Sequence, residues 1–184
     1  MLYPKTLLFT ISLFVCFGIY AQVNYDAFVG TWVYQKNDTV FKIKLQKGTS
    51  MSSYGIVKRI FGGYSLSVKG VLKDNYIKAM PDVWDIHTPA PSSNIFIKAV
   101  SGNIPNLLGF GFYDQCKKHL NGEGIGGGKI ELLAPNKIHW TLNEWEGLWY
   151  MLEGEGVEGD NRPGIRESMI GFSVPTDVIM MKEQ

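Results

Sequence analysis

The sequence predicts an all-β protein, an antiparallel up-and-down barrel of about eight to ten strands that follows an N-terminal signal segment. Three observations predict this fold. Several segments alternate apolar and polar residues with a period of two, which is typical of strands with one buried face. Pairs of turn-forming residues separate these segments at short spacing. No segment shows the apolar stripe of a helix, apart from short turns near 79–85.

Residues 1–21 have the pattern of a signal peptide. Lys5 supplies the positive charge, residues 7–19 are almost wholly apolar, and Ala21 is the small residue that precedes cleavage. The apolar run is shorter than the 20 or so residues that span a bilayer, so we expect the segment to be removed. In an alternative, Cys16 is lipidated, but the bulky Val15 before it disfavours this. The sequence therefore predicts export, either to the periplasm or to the medium.

The mature chain, residues 22–184, is expected to form one domain. Its length is 163 residues (184 minus 21), enough to bury roughly 70% of the unfolded surface without disulfides. Only Cys116 remains after cleavage, so it has no intramolecular disulfide partner. Without Lys5 the chain has 17 basic and 17 acidic residues. A neutral chain with dispersed lysines disfavours nucleic acid as a partner, and we expect a monomer with no transmembrane segment.

The strongest strand signal is the segment 39–46, where Phe41, Ile43 and Leu45 alternate with Lys42, Lys44 and Gln46. Applied along the chain, the same pattern predicts nine strands, at 29–36, 39–47, 54–61, 64–73, 94–100, 106–114, 126–133, 137–144 and 173–182. Turns are predicted at Asn37-Asp38, Gly62-Gly63, Asp74-Asn75 and Pro135-Asn136. The stretches 81–93 and 145–171 are too long for hairpin turns and are expected to be loops at the rim of the barrel.

Gly30-Thr31-Trp32, at the start of the first strand, resembles the G-x-W element of lipocalins and the wider calycin group. The resemblance implies that Gly30 relieves crowding where the chain crosses the end of the barrel and that the Trp32 indole plugs that end. Lipocalins carry a late arginine that stacks on this tryptophan, and here Lys182 is the nearest cation. The resemblance therefore implies a lipocalin-like barrel closed by Gly30, Trp32 and Lys182.

The mature chain also resembles an uncharacterised family of small exported bacterial proteins, a domain of unknown function. The resemblance rests on a G-T-W-V-Y opening, a G-G-Y-S-L centre and an F-S-V-P-T-D end, which here are residues 30–34, 62–66 and 172–177. It covers nearly the whole mature chain and implies no known activity.

Motifs of enzymes and cofactor sites are weak. The glycine-rich run 122–128 fits G-x-G-x-x-G, but a strand-like segment follows it where a dinucleotide site needs a helix, so a hairpin or bulge is favoured. His87, His119 and His139 lie far apart without carboxylates at ligand spacing. No G-x-S-x-G element is present, and no activating pattern accompanies Cys116. We expect no catalytic residues, no metal and no cofactor, and the protein is predicted not to be an enzyme.

Two functions remain open from the sequence. In the first, the barrel binds a small apolar or amphipathic ligand, and its contacts are the inward-facing residues Phe41, Ile43, Tyr64, Leu66, Phe110, Phe112 and Trp140. In the second, the core is solid, and the protein is an envelope interaction module that contacts protein or glycan through aromatic loops. Those loops contain Trp84 and the acidic segment 144–160 with Trp145 and Trp149.

Overall fold

The computed structural model describes residues 23–53, 55–77, 96–102, 104–115, 125–143 and 172–184. One turn of 3₁₀ helix, Tyr25–Ala27, precedes nine strands. They are β1 (Gly30–Lys36), β2 (Thr39–Ser52), β3 (Gly55–Val68), β4 (Val71–Asn75), β5 (Ile97–Ser101), β6 (Leu107–Phe112), β7 (Ile125–Ala134), β8 (Lys137–Leu142) and β9 (Asp177–Lys182). Within these ranges, no helix has both the length and the apolar character needed to cross a membrane. The predicted signal peptide lies outside the described residues.

The strands form one closed antiparallel sheet. Each strand from β5 to β8 pairs with the strand that follows it in the chain. The ring continues as β9 pairs with β1, β1 with β2, β2 with β3, and β3 with β5. The ring closes where Trp32 and Val33 of β1 face Lys182 and Met181 of β9. Closure removes the exposed edges that an open sheet would leave. The predicted all-β, up-and-down barrel of eight to ten strands is confirmed.

β4 is an additional strand that does not take a separate position in the ring. It pairs with the same edge of β3 as β5 does. Ser65 of β3 faces Asn75 of β4, and Gly62, three residues earlier in β3, faces Ile97 of β5. Both strands run antiparallel to β3, so they have the same direction. β4 and β5 together therefore take one strand position, and the barrel has eight positions around its ring.

The predicted turn at Gly62-Gly63 is wrong, because β3 runs through both glycines without a break. A Cβ atom on Gly62 would lie 2.8 Å from Leu45 Cδ2 and 2.9 Å from the Lys44 carbonyl oxygen. Gly62 is thus needed for close packing in the sheet and not for a turn. The chain turns instead at Lys69-Gly70, where φ is 53° and 73°. This turn splits the predicted strand 64–73 between β3 and β4.

The predicted turn at Asp74-Asn75 is also wrong, because both residues belong to β4. The Asp74 carboxylate is buried and accepts hydrogen bonds from tyrosine hydroxyl groups, so it serves a tertiary contact. The turns at Asn37-Asp38 and Pro135-Asn136 are confirmed, and each joins two strands that pair up to the turn. β9 begins at Asp177, four residues later than predicted.

Period-two burial along the strands places the apolar side chains inside the ring. On β8 the buried residues are Ile138, Trp140 and Leu142, and on β9 they are Val178 and Met180. The core extends from the 3₁₀ turn, through Phe28, to the opposite end of the barrel.

Candidate functional site

The seven residues predicted to line an interior site all lie on the inner face of the barrel. Phe41, Ile43, Tyr64, Phe112 and Trp140 have no solvent-accessible surface, while Leu66 is 3% and Phe110 is 5% exposed. A void large enough for a water molecule would expose any side chain that borders it. No such void borders the first five side chains.

The aromatic rings of this set contact one another around Trp140. Ring centroids of Phe110, Phe41 and Phe112 lie 4.3, 5.5 and 5.7 Å from that of Trp140. Tyr64 continues the cluster, with centroids 5.1 Å from Phe112 and 6.5 Å from Phe41. These separations are those of favourable tilted and edge-to-face pairs. We call these five rings the Trp140 cluster.

A buried polar group adjoins this cluster around the Tyr64 hydroxyl. That hydroxyl donates to Asp74 Oδ2 at 3.3 Å and accepts from the Gln115 backbone N–H at 2.9 Å. The Tyr76 hydroxyl donates to Asp74 Oδ1 at 3.2 Å. Burial, reinforced by the negative charge of Asp74, raises the pKa of Tyr64 far above its ordinary value. Tyr64 therefore remains a protonated donor.

A second buried carboxylate ties the chain before β9 to the end of β6. Asp114 is 3% exposed and accepts from the backbone N–H of Ser173 at 2.6 Å and from the Ser173 hydroxyl. Trp140 Nε1 donates to the Pro175 carbonyl at 3.0 Å. Both contacts hold the approach to β9 in place.

The end of the barrel that carries Tyr64 and Asp114 also carries the described residues that flank 78–95, 116–124 and 144–171. We call it the Tyr64 end. Several residues singled out from the sequence fall in these three stretches, outside the described residues. They are Trp84, His87, Cys116, His119, Trp145, Trp149 and the rest of the acidic segment 144–160.

The opposite end carries the residues predicted to close the barrel. Trp32 is fully buried, and its Nε1 donates to the Phe28 carbonyl at 2.9 Å. Lys182 Nζ lies 5.2 Å from the centroid of the Trp32 ring, within the range of a cation–π contact. Gly30 has φ of 134°, and a Cβ there would lie 2.6 Å from Lys182 Cε. The absence of a side chain at Gly30 lets the Lys182 stem cross to the indole.

A groove of about 600 Å³ lies on the outer face of the barrel, over β5, β6 and β7. Sequence reasoning missed this groove. Its floor has few side chains because Gly109 and Gly111 are two of the three outward-facing residues of β6, after Leu107, and Gly127 occupies the outward position on β7. Its other lining residues are Arg59, Lys98, Val100, Ser101, Gly102, Ile104, Leu107, Phe110, Gly128 and Lys129. Glycine at two successive outward positions of one strand is the signal that predicts such a groove.

The described part of the glycine-rich run is a strand with a bulge. Gly127 has φ of 83°, and the pairing of β6 with β7 shifts register between Phe110 and Phe112. No helix begins there, since residues 125–134 form β7. The arrangement lacks the helix N-terminus that a bound pyrophosphate requires.

Charged side chains on the described surface form ion pairs across neighbouring parts of the chain. His139 Nε2 lies 2.6 Å from Asp177 Oδ1 in an exposed pair between β8 and β9. Across the described ranges, no three His, Cys, Asp or Glu side chains are grouped so as to hold a metal ion.

Comparison with curated proteins found no match to the chain. Comparison with solved structures also found none. Residues 4–183 match one family, described as a family of unknown function (DUF6705). Because the match spans nearly the whole sequence, the chain belongs to this family of unknown function.

Proposed function

We propose that this protein is an exported, non-enzymatic interaction module in which a solid β-barrel serves as a scaffold and the partner binds outside it. One observation carries the proposal: Phe41, Ile43, Tyr64, Phe112 and Trp140 have no accessible surface although they face the barrel interior. Binding sites for small molecules usually have volumes of about 300–1,000 Å³. Side chains lining such a space would be partly exposed.

The ring contacts support the same conclusion. The Trp140 indole is contacted by Phe110 and Phe41 and by Phe112 edge-on. A ligand at the centre of the barrel would have to displace at least one of these rings from close-packed contact, which is costly in a dense core. The interior-ligand hypothesis stays a prediction, and the packing favours the alternative.

The state of the buried acids supports a role without catalysis. Asp74 accepts from the hydroxyl groups of Tyr64 and Tyr76, and Asp114 accepts from Ser173. Carboxylates that act as acids or bases must reach a substrate proton. Those of Asp74 and Asp114 are less than 10% exposed and are engaged in contacts that fix strand ends.

Native mass spectrometry of the protein purified from its own host tests the proposal. We expect one mass, that of residues 22–184 with nothing added. A reproducible added mass of a few hundred daltons would instead support an interior ligand. A mass that includes residues 1–21 would contradict the exported form.

A small apolar probe gives an independent test of the solid core. Phe112→Ala should create an apolar cavity at the Trp140 cluster, and engineered cavities of this kind bind benzene. Benzene should therefore raise the melting temperature of Phe112→Ala and leave the wild type unchanged. Stabilisation of the wild type by benzene would show that an interior pocket already exists, and the proposal would fail.

A further inference from the structure

The groove on the outer face over β5, β6 and β7 combines positive charge with an open backbone floor. Its charged lining residues, Arg59, Lys98 and Lys129, are all cationic. The next outward residue of β7 after Lys129 is Glu131, which does not line the groove. In the part of the chain that the structure describes, no carboxylate therefore lines this groove.

Strand register sets the spacing of these cations. Lys98 of β5 faces Gly111 of β6, while Val100 of β5 faces Gly109, which in turn faces Lys129 of β7. Arg59 lies on β3, the strand on the far side of β5. Three strand spacings separate Arg59 from Lys129, about 14 Å at 4.8 Å each. The cations thus surround the glycine floor and do not form a single point charge.

Two of the cations are held in place by neighbours. Arg59 Nε donates to the Ser50 hydroxyl, and Lys98 Nζ lies 5.2 Å from the centroid of the Tyr113 ring. Neither contact neutralises a positive charge. Both reduce the side-chain freedom that is lost when a partner binds.

Aliphatic side chains line part of the remaining groove, beside Ser101 and the glycines. Val100 is 38% and Ile104 is 52% exposed, and Leu107 lies beside them at the start of β6. An occupant therefore needs acidic groups for the cations and aliphatic groups for this portion. A polypeptide carries both kinds of side chain, whereas acidic polysaccharides and nucleic acids lack the aliphatic part.

We propose that this groove binds an extended acidic peptide segment of a partner protein that also carries aliphatic side chains. The inference rests on the proposed function, because it assigns the surface through which the solid barrel makes contact. The bare floor allows a peptide backbone to approach β6 closely. The cations provide charge complementarity, which favours acidic over neutral or basic segments.

A direct test uses a fluorescein-labelled peptide of ten alternating glutamate and valine residues, with fluorescence anisotropy as the readout. A peptide of alternating lysine and valine is the charge-reversed control. We expect saturable binding of the acidic peptide that weakens as salt concentration rises, and no binding of the basic one. Absence of binding by the acidic peptide would overturn the proposal.

Variants of the groove locate the binding. The triple change of Arg59→Gln, Lys98→Gln and Lys129→Gln should weaken binding about tenfold, the combined effect of two exposed charges and one half-buried charge. Gly109→Gln should block the floor without harming the fold, because a Cβ at Gly109 meets no atom within 4 Å. Gly109→Gln should melt at or above the wild-type temperature, and the triple variant should melt only a few degrees lower, because it loses the contacts of Arg59 with Ser50 and of Lys98 with Tyr113. Equal affinity of wild type and groove variants would overturn the assignment.

The matched control removes three exposed lysines that do not line the groove, with Lys36→Gln, Lys69→Gln and Lys73→Gln in one chain. It changes net charge by the same amount and should leave the affinity within about twofold of the wild type. A tenfold loss here would mean that binding follows net charge and not the groove. Tighter binding of polygalacturonate than of the acidic peptide would overturn the choice of a peptide.

The outcomes separate this inference from the proposed function. A failed peptide titration together with an unmodified native mass would overturn the groove alone. An added mass in native mass spectrometry would overturn the proposal of a solid barrel, whether or not the acidic peptide binds.

Discussion

Gly128 provides the sharpest test of how tightly the barrel is packed, because its missing side chain is replaced by the ring of Phe110. A Cβ added at Gly128 would lie 2.4, 2.4 and 2.6 Å from three ring carbons of Phe110. Ordinary contacts between carbon atoms are about 3.5–4.0 Å. The ring would have to move by about 1 Å. Its neighbour Trp140 lies 4.3 Å away between centroids and is itself contacted by Phe41 and Phe112.

Gly109→Ala is the matched control for Gly128→Ala. Gly109 immediately precedes Phe110 on β6 but faces outward, and its added Cβ would meet nothing within 4 Å. Both substitutions share the gain from a less flexible unfolded chain, about 0.4–1 kcal/mol. The difference between the two variants therefore isolates the cost of overpacking. We expect Gly128→Ala to be the less stable of the two by about 1–3 kcal/mol.

Urea unfolding followed by tryptophan fluorescence measures this difference. The midpoint should fall for Gly128→Ala and stay equal or rise for Gly109→Ala, with the same dependence on urea concentration in both. A difference below about 0.5 kcal/mol would mean that Phe110 has free space into which it can move. That result would refute the reasoning from packing and restore the case for an interior ligand.

Substitutions at three other positions give further tests. Gly30→Ala should cost about 1–3 kcal/mol in thermal unfolding, because φ of 134° is strained for alanine; an unchanged melting temperature would contradict this. Lys182→Met keeps the aliphatic stem and should lose only the cation–π contact with Trp32, about 0.5–1 kcal/mol, while Lys182→Arg should retain it. Tyr64→Phe removes a donor to Asp74 and the acceptor for the Gln115 N–H and should cost about 1–3 kcal/mol. Since burial raises the pKa of Tyr64 in the folded state, the wild type should lose stability as pH rises above about 10, the unfolded value. The Tyr64→Phe variant should lose less stability than the wild type over that pH range. If stability falls equally with pH in both proteins, the hydroxyl of Tyr64 is not the group responsible.

Much of the fold is predictable because burial in a barrel follows a local rule. Phe41, Ile43 and Leu45 alternate with lysines, and this pattern alone assigns them to the interior, where all three are fully buried. The two-residue turns at Asn37-Asp38 and Pro135-Asn136 are equally local. Each prediction depends on residues close together in the chain.

The two wrong turn predictions involve residue types that occur both in turns and inside strands. Glycine permits both turns and close packing, and at Gly62 only the neighbours Leu45 and Lys44, supplied by β2, show that packing is the reason. Aspartate is common in turns, yet Asp74 is placed in a strand where Tyr64 offers a hydroxyl donor. Such neighbours are distant in sequence or depend on register, so inspection of the local pattern does not reveal them.

The outer groove is not predictable from the sequence for a related reason. The alternation in β6 does place Gly109 and Gly111 opposite to Phe110 and Phe112. The cations that make the groove a candidate site come from β3, β5 and β7, and only the observed register brings them around β6.

The junction of β1 with β9 has a consequence for how the ring opens. Only Trp32 and Val33 of β1 pair with β9, whereas fourteen residue pairs join β2 to β3. Opening of the ring breaks fewer residue pairs at this seam than at any other junction of the described barrel. Native-state amide exchange should reach the β9 amides at a lower free energy than those of the β2–β3 hairpin. A protein fused to the C-terminus would therefore be attached next to the strand junction that opens most easily.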